Sequence, residues 1–388
     1  MNTALKTIIL DLVKRSGPIT FERYMALCLY HPEHGYYMQD RERTGVRGDY
    51  FTSPDLHPIF ARLIARQAAE MWEALRRPAP FTWVEMGAGR GWFARDFLLW
   101  VKSARPDFGG ALDYVIVEPS LASALTRLNA DGLDTAVRAL ESLEAMDPVV
   151  GCFFSNELVD AFPVHVVMRH NGRLQEMYVT AEGGSLRETT GPISDSAVAA
   201  AVARYAGELD EGHRVEVNLA ALPWMRAVAE TLARGFVITI DYGDLAERLY
   251  TPARSRGTLL AYQGHTATES FFAAPGEQDL TAHVNFSALM DAGRTAGLEI
   301  TGFTTQERFL LALGEATEFT DLYDPGQTEA QRLDARLKLK RLIFPGEGGG
   351  TGGTAGMGGA FKVLVQHRGT LQPQLTGLKY QRLSRARS

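Results

Sequence analysis

Short apolar runs alternate with helix-like patterns through the middle of the chain. Four runs have the length of buried strands, "FTWVEMG", "DYVIVEPS", "VGCFFSNE" and "GFVITIDYG", and a weaker run lies at "TAVRALESL". Between them, apolar residues recur at intervals of three and four, as in the segment 92–103. Buried strands that alternate with helices predict an α/β fold with a doubly wound, mostly parallel, Rossmann-like sheet that has helices on both faces.

The first 77 residues are predicted to form helices and a long loop outside this sheet. The N-terminal segment has apolar residues at helical spacing: Leu5, Ile8, Ile9, Leu12 and Val13. A second amphipathic helix begins near Pro58. Between the two helices, "YHPEHGYYMQDRERTGVRGDYFTSPDLHP" is too long and too polar for a simple connector. We therefore expect residues 1–77 to supply N-terminal helices and a loop that covers a functional site.

The alternating pattern is interrupted between the fourth and fifth strands. Residues 166–218 contain a predicted hairpin that turns within "HNGR", then a helix and another strand. We interpret this segment as an inserted α+β subdomain on the substrate side of the sheet. The core then comprises residues 78–165 and 219–368, and its late strand is "FKVLVQHRG".

Two stretches near the C-terminus lack the pattern of a regular element. The segment 346–359 is rich in glycine and is predicted to be a mobile loop. The segment 369–388 ends in "LKYQRLSRARS" and is predicted to be a basic, disordered tail.

Composition and charge narrow the class of partner. The formal net charge of -6 argues against nucleic acid or an anionic membrane as the main partner, because both favour a basic surface. No run reaches the roughly 18 apolar residues of a membrane span. The N-terminus has neither the apolar block of a signal peptide nor the arginines of a transit peptide, so a cytoplasmic location is predicted. Cys28 and Cys152 are too far apart in sequence for a metal motif, and we expect reduced thiols.

The segment "VEMGAGRGWF" places Gly87, Gly89 and Gly91 where the first strand ends and a helix begins. Glycines permit a tight turn and a close approach of a ligand to the backbone, and a helix N-terminus favours an anionic group. The dinucleotide fingerprint requires Gly or Ala at its sixth position, where this chain has Trp92. The spacing disfavours a nicotinamide dinucleotide and suits S-adenosylmethionine, whose carboxylate is expected near the Gly89 and Gly91 amides. A turn that binds no ligand is the alternative.

Three glutamates extend this predicted cofactor site. Glu85 stands one residue before the glycine turn and is placed to hold the ammonium group of the cofactor. Glu118 ends the second strand, where an acidic residue binds the ribose hydroxyls in dinucleotide folds. Glu141 follows the weak third strand and is a candidate for the adenine edge, with a solvated helix charge as the alternative.

The fourth strand ends in the polar sequence "SNELVDAFP", which places Asn156, Glu157 and Asp160 at the same edge of the sheet as the cofactor. Carboxylates beyond a buried strand are unfavourable unless something pairs with them. If a helical turn follows, Glu157 and Asp160 share one face and suit a guanidinium, which donates paired hydrogen bonds. The alternative is that Asn156 and Asp160 cap the turn before Pro163.

Taken together, these motifs resemble the MidA-like methyltransferases, a family that includes a mitochondrial arginine methyltransferase of complex I assembly. The resemblance covers nearly the whole chain and depends on "GDYFTSPDLHPIFARLIA", "VEMGAGRG", "SNELVDAFPVH", "VITIDYGD", "EQDLTAHVNFSALMDAGRTAGL" and "MGGAFKVLVQHRG". It implies a class I methyltransferase fold with S-adenosylmethionine as donor. The chain departs from the family at Ala88, where relatives usually have proline, and in the glycine insert before Met357.

The resemblance also assigns residues and partners. By motif match, the donor is held by Glu85, the three glycines and Glu118, while the segment 48–53 helps to close the site through Thr52 and Ser53. It implies methylation of an arginine in a protein substrate, with a respiratory-complex subunit as the candidate. A nicotinamide-dependent oxidoreductase, a non-enzymatic assembly factor and a small-molecule methyltransferase remain the alternatives. The oligomeric state is left open, and no metal site is predicted.

Several other polar residues are weaker candidates. Asp241 and Tyr242 end the fifth strand and are candidates for the substrate cleft. His283 is a candidate for a catalytic base or, together with Asp279 and His265, for a metal ligand. Because the sequence spacings match no standard ligand set, a structural role for His283 is favoured.

Loop residues complete these candidates. His31 and His34 are expected at the surface, and Arg47 and Asp49 are candidates for cofactor or partner contacts.

Overall fold

The computed structural model describes residues 3–39, 45, 48–49, 52–119, 121–344, 359–370 and 373–381. The helices are α1 (Thr3–Ser16), α2 (Phe21–Tyr30), α3 (Ser53–Leu56), α4 (Ile59–Ala74), α5 (Trp92–Ala104), α6 (Pro106–Gly109), α7 (Ala122–Ala130), α8 (Ser196–Ala201), α9 (Ala221–Thr231), α10 (Ala246–Leu249), α11 (Phe286–Thr295), α12 (Gln306–Glu315) and α13 (Glu329–Ile343). The strands are β1 (Ile19–Thr20), β2 (Phe81–Met86), β3 (Leu112–Val117), β4 (Val137–Leu140), β5 (Val149–Asn156), β6 (His165–His170), β7 (Arg173–Glu182), β8 (Ser185–Gly191), β9 (Arg214–Val217), β10 (Leu232–Asp244), β11 (Leu260–Gln263), β12 (Thr266–Thr268), β13 (Asp279–Thr281), β14 (Val284–Asn285), β15 (Glu299–Thr305) and β16 (Phe361–Arg368).

The central sheet has the strand order β15-β16-β10-β5-β2-β3-β4 within the described residues, and β14 pairs with β10. Strands β4, β3, β2, β5 and β10 are parallel neighbours, whereas β16 is antiparallel to both β10 and β15. All six residues of β2 are buried, as expected for a strand covered on both faces. The predicted fold class, a doubly wound and mostly parallel sheet, is confirmed.

Helices cover the central sheet on both faces. On one face, α4, α5 and α12 pack through an apolar cluster that includes Phe60, Phe97 and Phe309. On the other face, α9 and α11 pack through Met225 and Phe286. The two layers leave the carboxyl ends of β2, β3 and β5 at one edge, where an open parallel sheet binds its ligand.

A second structural unit lies beside the central sheet. Strands β1, β7, β6 and β9 form an antiparallel sheet with β8 attached to β7. Its β6–β7 hairpin turns at Asn171 and Gly172, which both have positive φ, as predicted from "HNGR". A smaller sheet of β12, β11 and β13 completes the unit, because Leu280 shares an apolar cluster with α1, α2, β6 and β7.

The predicted domain boundaries differ from this packing in two segments of the chain. Helices α1 and α2 pack on the sheet of the insertion, whereas α4 packs on the central sheet. Residues 1–77 are therefore divided between the two units, and part of 219–368 belongs to the second unit. The reason is that α1 and α2 bury their apolar faces against β7, a contact between distant parts of the chain that local patterns do not reveal.

Part of the predicted disordered tail is folded. Leu375 and Leu378 are buried, and the backbone N–H of Gly377 donates to Gln67 Oε1 at 2.9 Å. Residues 373–381 therefore dock on α4 and α12, and the prediction of disorder from residue 369 onward is wrong for this stretch, because its leucines bury apolar area. The glycine-rich segment 346–359 lies outside the described residues except for Gly359. None of the described helices is long and apolar enough to cross a membrane.

Candidate active site

A cleft with a volume of about 500 Å³ opens at the carboxyl edge of the central sheet. One end contains the glycine turn after β2, together with Glu118 and Glu141. The other end contains Asn156 and Glu157 after β5, and residues of the segment between α2 and α3. The structure thus brings together in one cleft all the residues predicted for the cofactor except Gly91 and Ser53, and all those predicted for the acceptor except Asp160.

The three glycines of the turn have different structural roles, although all have positive φ. A Cβ atom on Gly87 would lie 3.0 Å from the side chain of Leu158, and one on Gly91 would lie 3.0 Å from the carbonyl oxygen of Ala124. A Cβ on Gly89 would meet no atom within 4 Å. Gly87 and Gly91 therefore serve close packing, whereas Gly89 borders open space that a ligand can fill.

The expected contact between a cofactor carboxylate and the turn amides is not supported. The Gly89 N–H donates to Glu118 Oε2 at 3.2 Å, and the Gly91 N–H donates to the Ala88 carbonyl oxygen at 2.9 Å. Both donors are therefore engaged. Glu118 is held at the mouth of the turn by this hydrogen bond, which suits its predicted contact with the ribose hydroxyls.

Glu85 is buried beneath the turn, with 3% of its surface exposed. The Tyr114 hydroxyl donates to Glu85 Oε2 at 2.6 Å. The pKa of Glu85 is raised to about 8, because the raising effect of burial outweighs the lowering effect of the Tyr114 hydrogen bond and Glu118 adds a smaller increase. A buried carboxylate in this setting favours a cationic ligand, such as the ammonium group of the expected cofactor.

The outer residues of the predicted cofactor site lie at different depths. Glu141 and Thr52 both line the cleft, and Glu141 is exposed. Thr52 caps α3 through reciprocal hydrogen bonds with Asp55. Ser53 is fully buried and does not line the cleft, but its backbone N–H donates to Glu157 Oε1 at 3.2 Å. Ser53 is thus linked to the acceptor end of the cleft through Glu157.

Glu157 is the first residue after β5 and has a φ of 53°, a conformation that is uncommon for a residue other than glycine. Its Oε1 accepts from Ser53 and, at 3.1 Å, from Asn156 Nδ2. Its Oε2 has no hydrogen-bond partner among the described residues. Burial raises the pKa of Glu157 to about 8, with Asp241 and Asp55 adding to the effect. One carboxylate oxygen is thus fixed and the other is left for a ligand.

Asp160 and Asp241 lie behind this wall of the cleft. Asp241 Oδ2 accepts from the backbone N–H groups of Leu158, Val159 and Asp160 at 2.9–3.3 Å, so it fixes the turn that carries Glu157. Asp241 is therefore a positioning residue. Asp160 is 6% exposed, and burial together with Asp241 and Asp279 raises its pKa well above the ordinary value. Asp160 does not line the cleft itself, although Ala161 does.

Sequence analysis missed several aromatic residues of the cleft. Tyr30 and Tyr37 line the acceptor end, while Phe162 and Trp224 line the cofactor end. Tyr30 donates to the Ala161 carbonyl oxygen at 3.1 Å, and Tyr37 donates to Asp279 Oδ1 at 2.8 Å. The only available signal was the tyrosine-rich sequence "HGYYM" in the predicted covering loop.

The remaining candidates have structural contacts. His283 stacks on Tyr242, and its Nδ1 lies 3.2 Å from Arg254, while burial lowers its pKa to about 4. Asp49 accepts from Tyr36 and joins the covering segment to the β11–β12 turn, where His265 lies. The described residues contain no cluster of three or more potential metal ligands.

Two loop candidates remain. His31 and His34 stack on each other in a turn, and Arg47 lies outside the described residues.

Comparison with known proteins identifies the family. The sequence-family model of S-adenosyl-L-methionine-dependent methyltransferases matches residues 63–304 of this chain. A crystal structure of a Burkholderia thailandensis protein bound to S-adenosylhomocysteine is 33% identical, with a TM-score of 0.85 over 98% of this chain and 95% of that one. The likeness to a protein solved with the product cofactor agrees with the open space at Gly89.

Curated relatives add names and correct one prediction. A Drosophila melanogaster protein named as a mitochondrial protein arginine methyltransferase homologue is 26% identical and aligns with 93% of this chain and 84% of its own length. A Danio rerio protein named as a mitochondrial protein arginine methyltransferase is 28% identical over 77% of this chain and 74% of its own. The predicted cytoplasmic location is therefore wrong by this comparison, because these relatives are named as mitochondrial. The chain belongs to the family of S-adenosylmethionine-dependent methyltransferases and uses S-adenosylmethionine as its methyl donor.

Proposed function

We propose that this methyltransferase modifies an arginine side chain of a protein. The observation that carries the proposal is the arrangement of Glu157, which lines the cleft. Its Oε1 is fixed by two hydrogen bonds, and its Oε2 has no hydrogen-bond partner among the described residues. None of Glu157, Asp160 and Asp241 forms an ion pair with a described lysine or arginine. Buried carboxylates that lack a protein cation favour a cationic ligand. The names of the curated relatives support arginine as that cation.

The roles of the protein follow from the chemistry of methyl transfer. The bound cofactor supplies an electrophilic methyl group on its sulfonium. Because the displacement is in line, the protein contributes mainly by orienting the attacking nitrogen. Glu157 Oε2 is placed to accept an N–H of the guanidinium, which holds one nitrogen toward the cofactor and localises the positive charge away from it. The same carboxylate can receive the proton released after transfer, and its raised pKa suits that task.

The cofactor end has a separate set of proposed roles. Glu85 holds the ammonium group and Glu118 the ribose hydroxyls, while Glu141 and Thr52 close the outer part of the cleft. A protein acceptor is part of the proposal, and a respiratory-complex subunit is its candidate. Neither the oxidoreductase nor the non-enzymatic assembly factor gains support from the cleft or from the comparisons.

The identity of the methylated amino acid tests this proposal. The purified protein is incubated with S-adenosylmethionine labelled in the methyl group and with a protein extract that has low endogenous methylation. The labelled proteins are then hydrolysed to amino acids. We expect the label in methylated arginine, whereas label in methyl-lysine, or only in small molecules, would contradict the proposal. Whether one or two methyl groups are added is read from the same hydrolysate.

A further inference from the structure

The acceptor end of the cleft is built by both structural units. The backbone N–H of Ala282, next to β13 of the second unit, donates to the Asp160 carbonyl oxygen at 3.0 Å. Tyr30 of α2 donates to the neighbouring Ala161 carbonyl oxygen. These two contacts join the second unit to the turn after β5, so residues of β13 and of the segment after α2 stand beside Glu157.

Asp279 of β13 is the acidic residue that the second unit adds. It is 2% exposed, and its Oδ1 accepts from the hydroxyl group of Tyr37, whose side chain lines the cleft. Asp279 acts electrostatically on Asp160, on Tyr30, which lines the cleft, and on Tyr262. The charge of Asp279 therefore affects groups at the acceptor end. Asp279 is connected to the surface of the cleft by its hydrogen bond with Tyr37.

A further observation indicates that this end lacks a group with N–H donors. Asn156 Oδ1 is buried and has no hydrogen-bond partner among the described residues. Asp160 is 6% exposed, and its carboxyl group interacts with the backbone N–H of Ala161 but forms no ion pair with a described residue. Buried acceptors without partners are uncommon in native proteins. A ligand that brings N–H groups and positive charge to the cleft would satisfy Asn156 Oδ1 and offset the negative charge of the carboxylates behind it.

We propose that Asp279 and Tyr37 make the acceptor site selective for a cationic side chain, with Asp160 as the second carboxylate of the same cluster. Tyr37 contacts the acceptor, Asp279 positions Tyr37 and adds negative charge, and Glu157 orients the reacting nitrogen. This inference rests on the proposed arginine acceptor and assigns the selectivity for charge to the second unit. It predicts that the unit made of the N-terminal helices, the insertion and β13 takes part in substrate recognition rather than only supporting the fold.

The test compares a charged and a neutral probe of the same shape. Nα-acetyl-arginine amide and Nα-acetyl-citrulline amide are titrated by NMR into the protein saturated with S-adenosylhomocysteine. In the unmodified protein we expect the arginine probe to bind roughly tenfold more tightly than the citrulline probe. In Asp279→Asn this preference should fall to about twofold or less, through weaker binding of the arginine probe alone.

Control variants separate recognition from folding. Asp279→Glu should restore the preference for arginine, and Tyr37→Phe should lose part of it. Tyr178→Phe removes a tyrosine hydroxyl that donates to the Pro192 carbonyl oxygen, and neither residue lines the cleft. This variant should change the binding of neither probe. S-adenosylhomocysteine affinity, measured by calorimetry, should stay within about twofold in every variant, because the cofactor end is not altered.

The outcomes distinguish this inference from the proposed function. Equal preference for arginine in Asp279→Asn and in the unmodified protein would overturn the inference, even if arginine is the methylated residue. Equal binding of the two probes to the unmodified protein, or binding of neither, would also overturn it. If the hydrolysate shows methyl-lysine and a lysine probe loses affinity in Asp279→Asn, the selectivity for charge stands and the arginine proposal fails.

Discussion

The two ends of the cleft are built in different ways. At the cofactor end, Glu85, the glycine turn and Glu118 come from one strand–helix–strand unit, β2–α5–β3, and are close in sequence. At the acceptor end, Tyr37, Glu157 and Asp279 come from three distant parts of the chain and from both structural units. Under the proposed assignment, the donor site is a property of the fold, whereas the acceptor site depends on how the second unit packs against it.

The largest expected effect is on the acceptor end. Glu157→Gln keeps the shape of the side chain but removes its charge and its capacity to take a proton. We expect methyl transfer to fall by about 100-fold or more, since positioning and proton acceptance are both lost. S-adenosylhomocysteine affinity, measured by calorimetry, should change by less than about threefold if the two ends are separate. Glu182→Gln, on an exposed part of β7, is the matched control. Full transfer activity in Glu157→Gln would remove its proposed role.

The second prediction concerns the cofactor end. Glu85→Gln should weaken S-adenosylhomocysteine binding by roughly 30-fold, because a buried charged partner of the ammonium is lost. The pKa of Glu85 is raised to about 8 by burial, so a growing fraction is ionised as the pH rises from 6.5 to 8. Binding to the unmodified protein should therefore strengthen over this range, and binding to Glu85→Gln should not.

Tyr114→Phe sharpens this prediction. The Tyr114 hydroxyl favours the ionised form of Glu85, so its removal should shift the pH dependence of binding to higher pH. The same pH profile in all three proteins would contradict the assignment of Glu85 to the ammonium group.

The third prediction separates packing from ligand binding within the glycine turn. Gly91→Ala introduces a strained positive φ and a close contact with the Ala124 carbonyl oxygen, so we expect a loss of about 2 kcal/mol in the free energy of unfolding. Gly89→Ala introduces strain without that contact, and we expect a loss of about 1 kcal/mol. Gly89→Val should in addition reduce S-adenosylhomocysteine affinity. Urea denaturation and calorimetry measure both effects, and equal losses of stability would refute the distinction.

The smallest expected effect is a pH dependence of stability at Glu157. Its folded pKa is raised to about 8 from the ordinary 4.5, so between these values the unfolded chain loses a proton that the folded protein keeps. The contribution of Glu157 to the free energy of unfolding therefore falls as the pH rises through this window. The free energy of unfolding of Glu157→Gln minus that of the unmodified protein should therefore increase by about 1 kcal/mol or more from pH 5.5 to pH 7.5. No change in this difference would show that the pKa is not raised.

Sequence patterns located the cleft residues that follow strands better than those from other segments, for a physical reason. The strands of the central sheet are continuous apolar runs, and these residues come directly after them, so local order and the topology of a parallel sheet place Gly89 and Glu118 in the cleft. Glu157 and Asn156 were located by the same logic. The hydrogen bond from the Gly89 N–H to Glu118 could not be predicted in this way, because it depends on side-chain geometry.

The parts that were missed depend on contacts between distant segments. Asp279 lies next to Tyr37, which lines the cleft, only because β13 packs beside the turn after β5, and nothing in "EQDLTAHV" indicates that neighbour. Likewise, the sequence of the basic C-terminal segment does not indicate that Leu375 and Leu378 are buried, because the apolar surface they pack against belongs to the distant helix α12. The prediction of a cytoplasmic location was wrong for a different reason, since it relied on the composition of the N-terminus alone.

The position of β16 in the central sheet has a consequence for biosynthesis. This strand pairs with β10 on one side and β15 on the other, so it lies inside the sheet although it is among the last elements to be made. Until residues 361–368 leave the ribosome, β10 and β15 each present an unpaired edge, which in β10 is rich in apolar residues. A nascent chain in this state is a natural client for a chaperone, and a premature stop codon before Phe361 would give a product prone to aggregation rather than a smaller active enzyme.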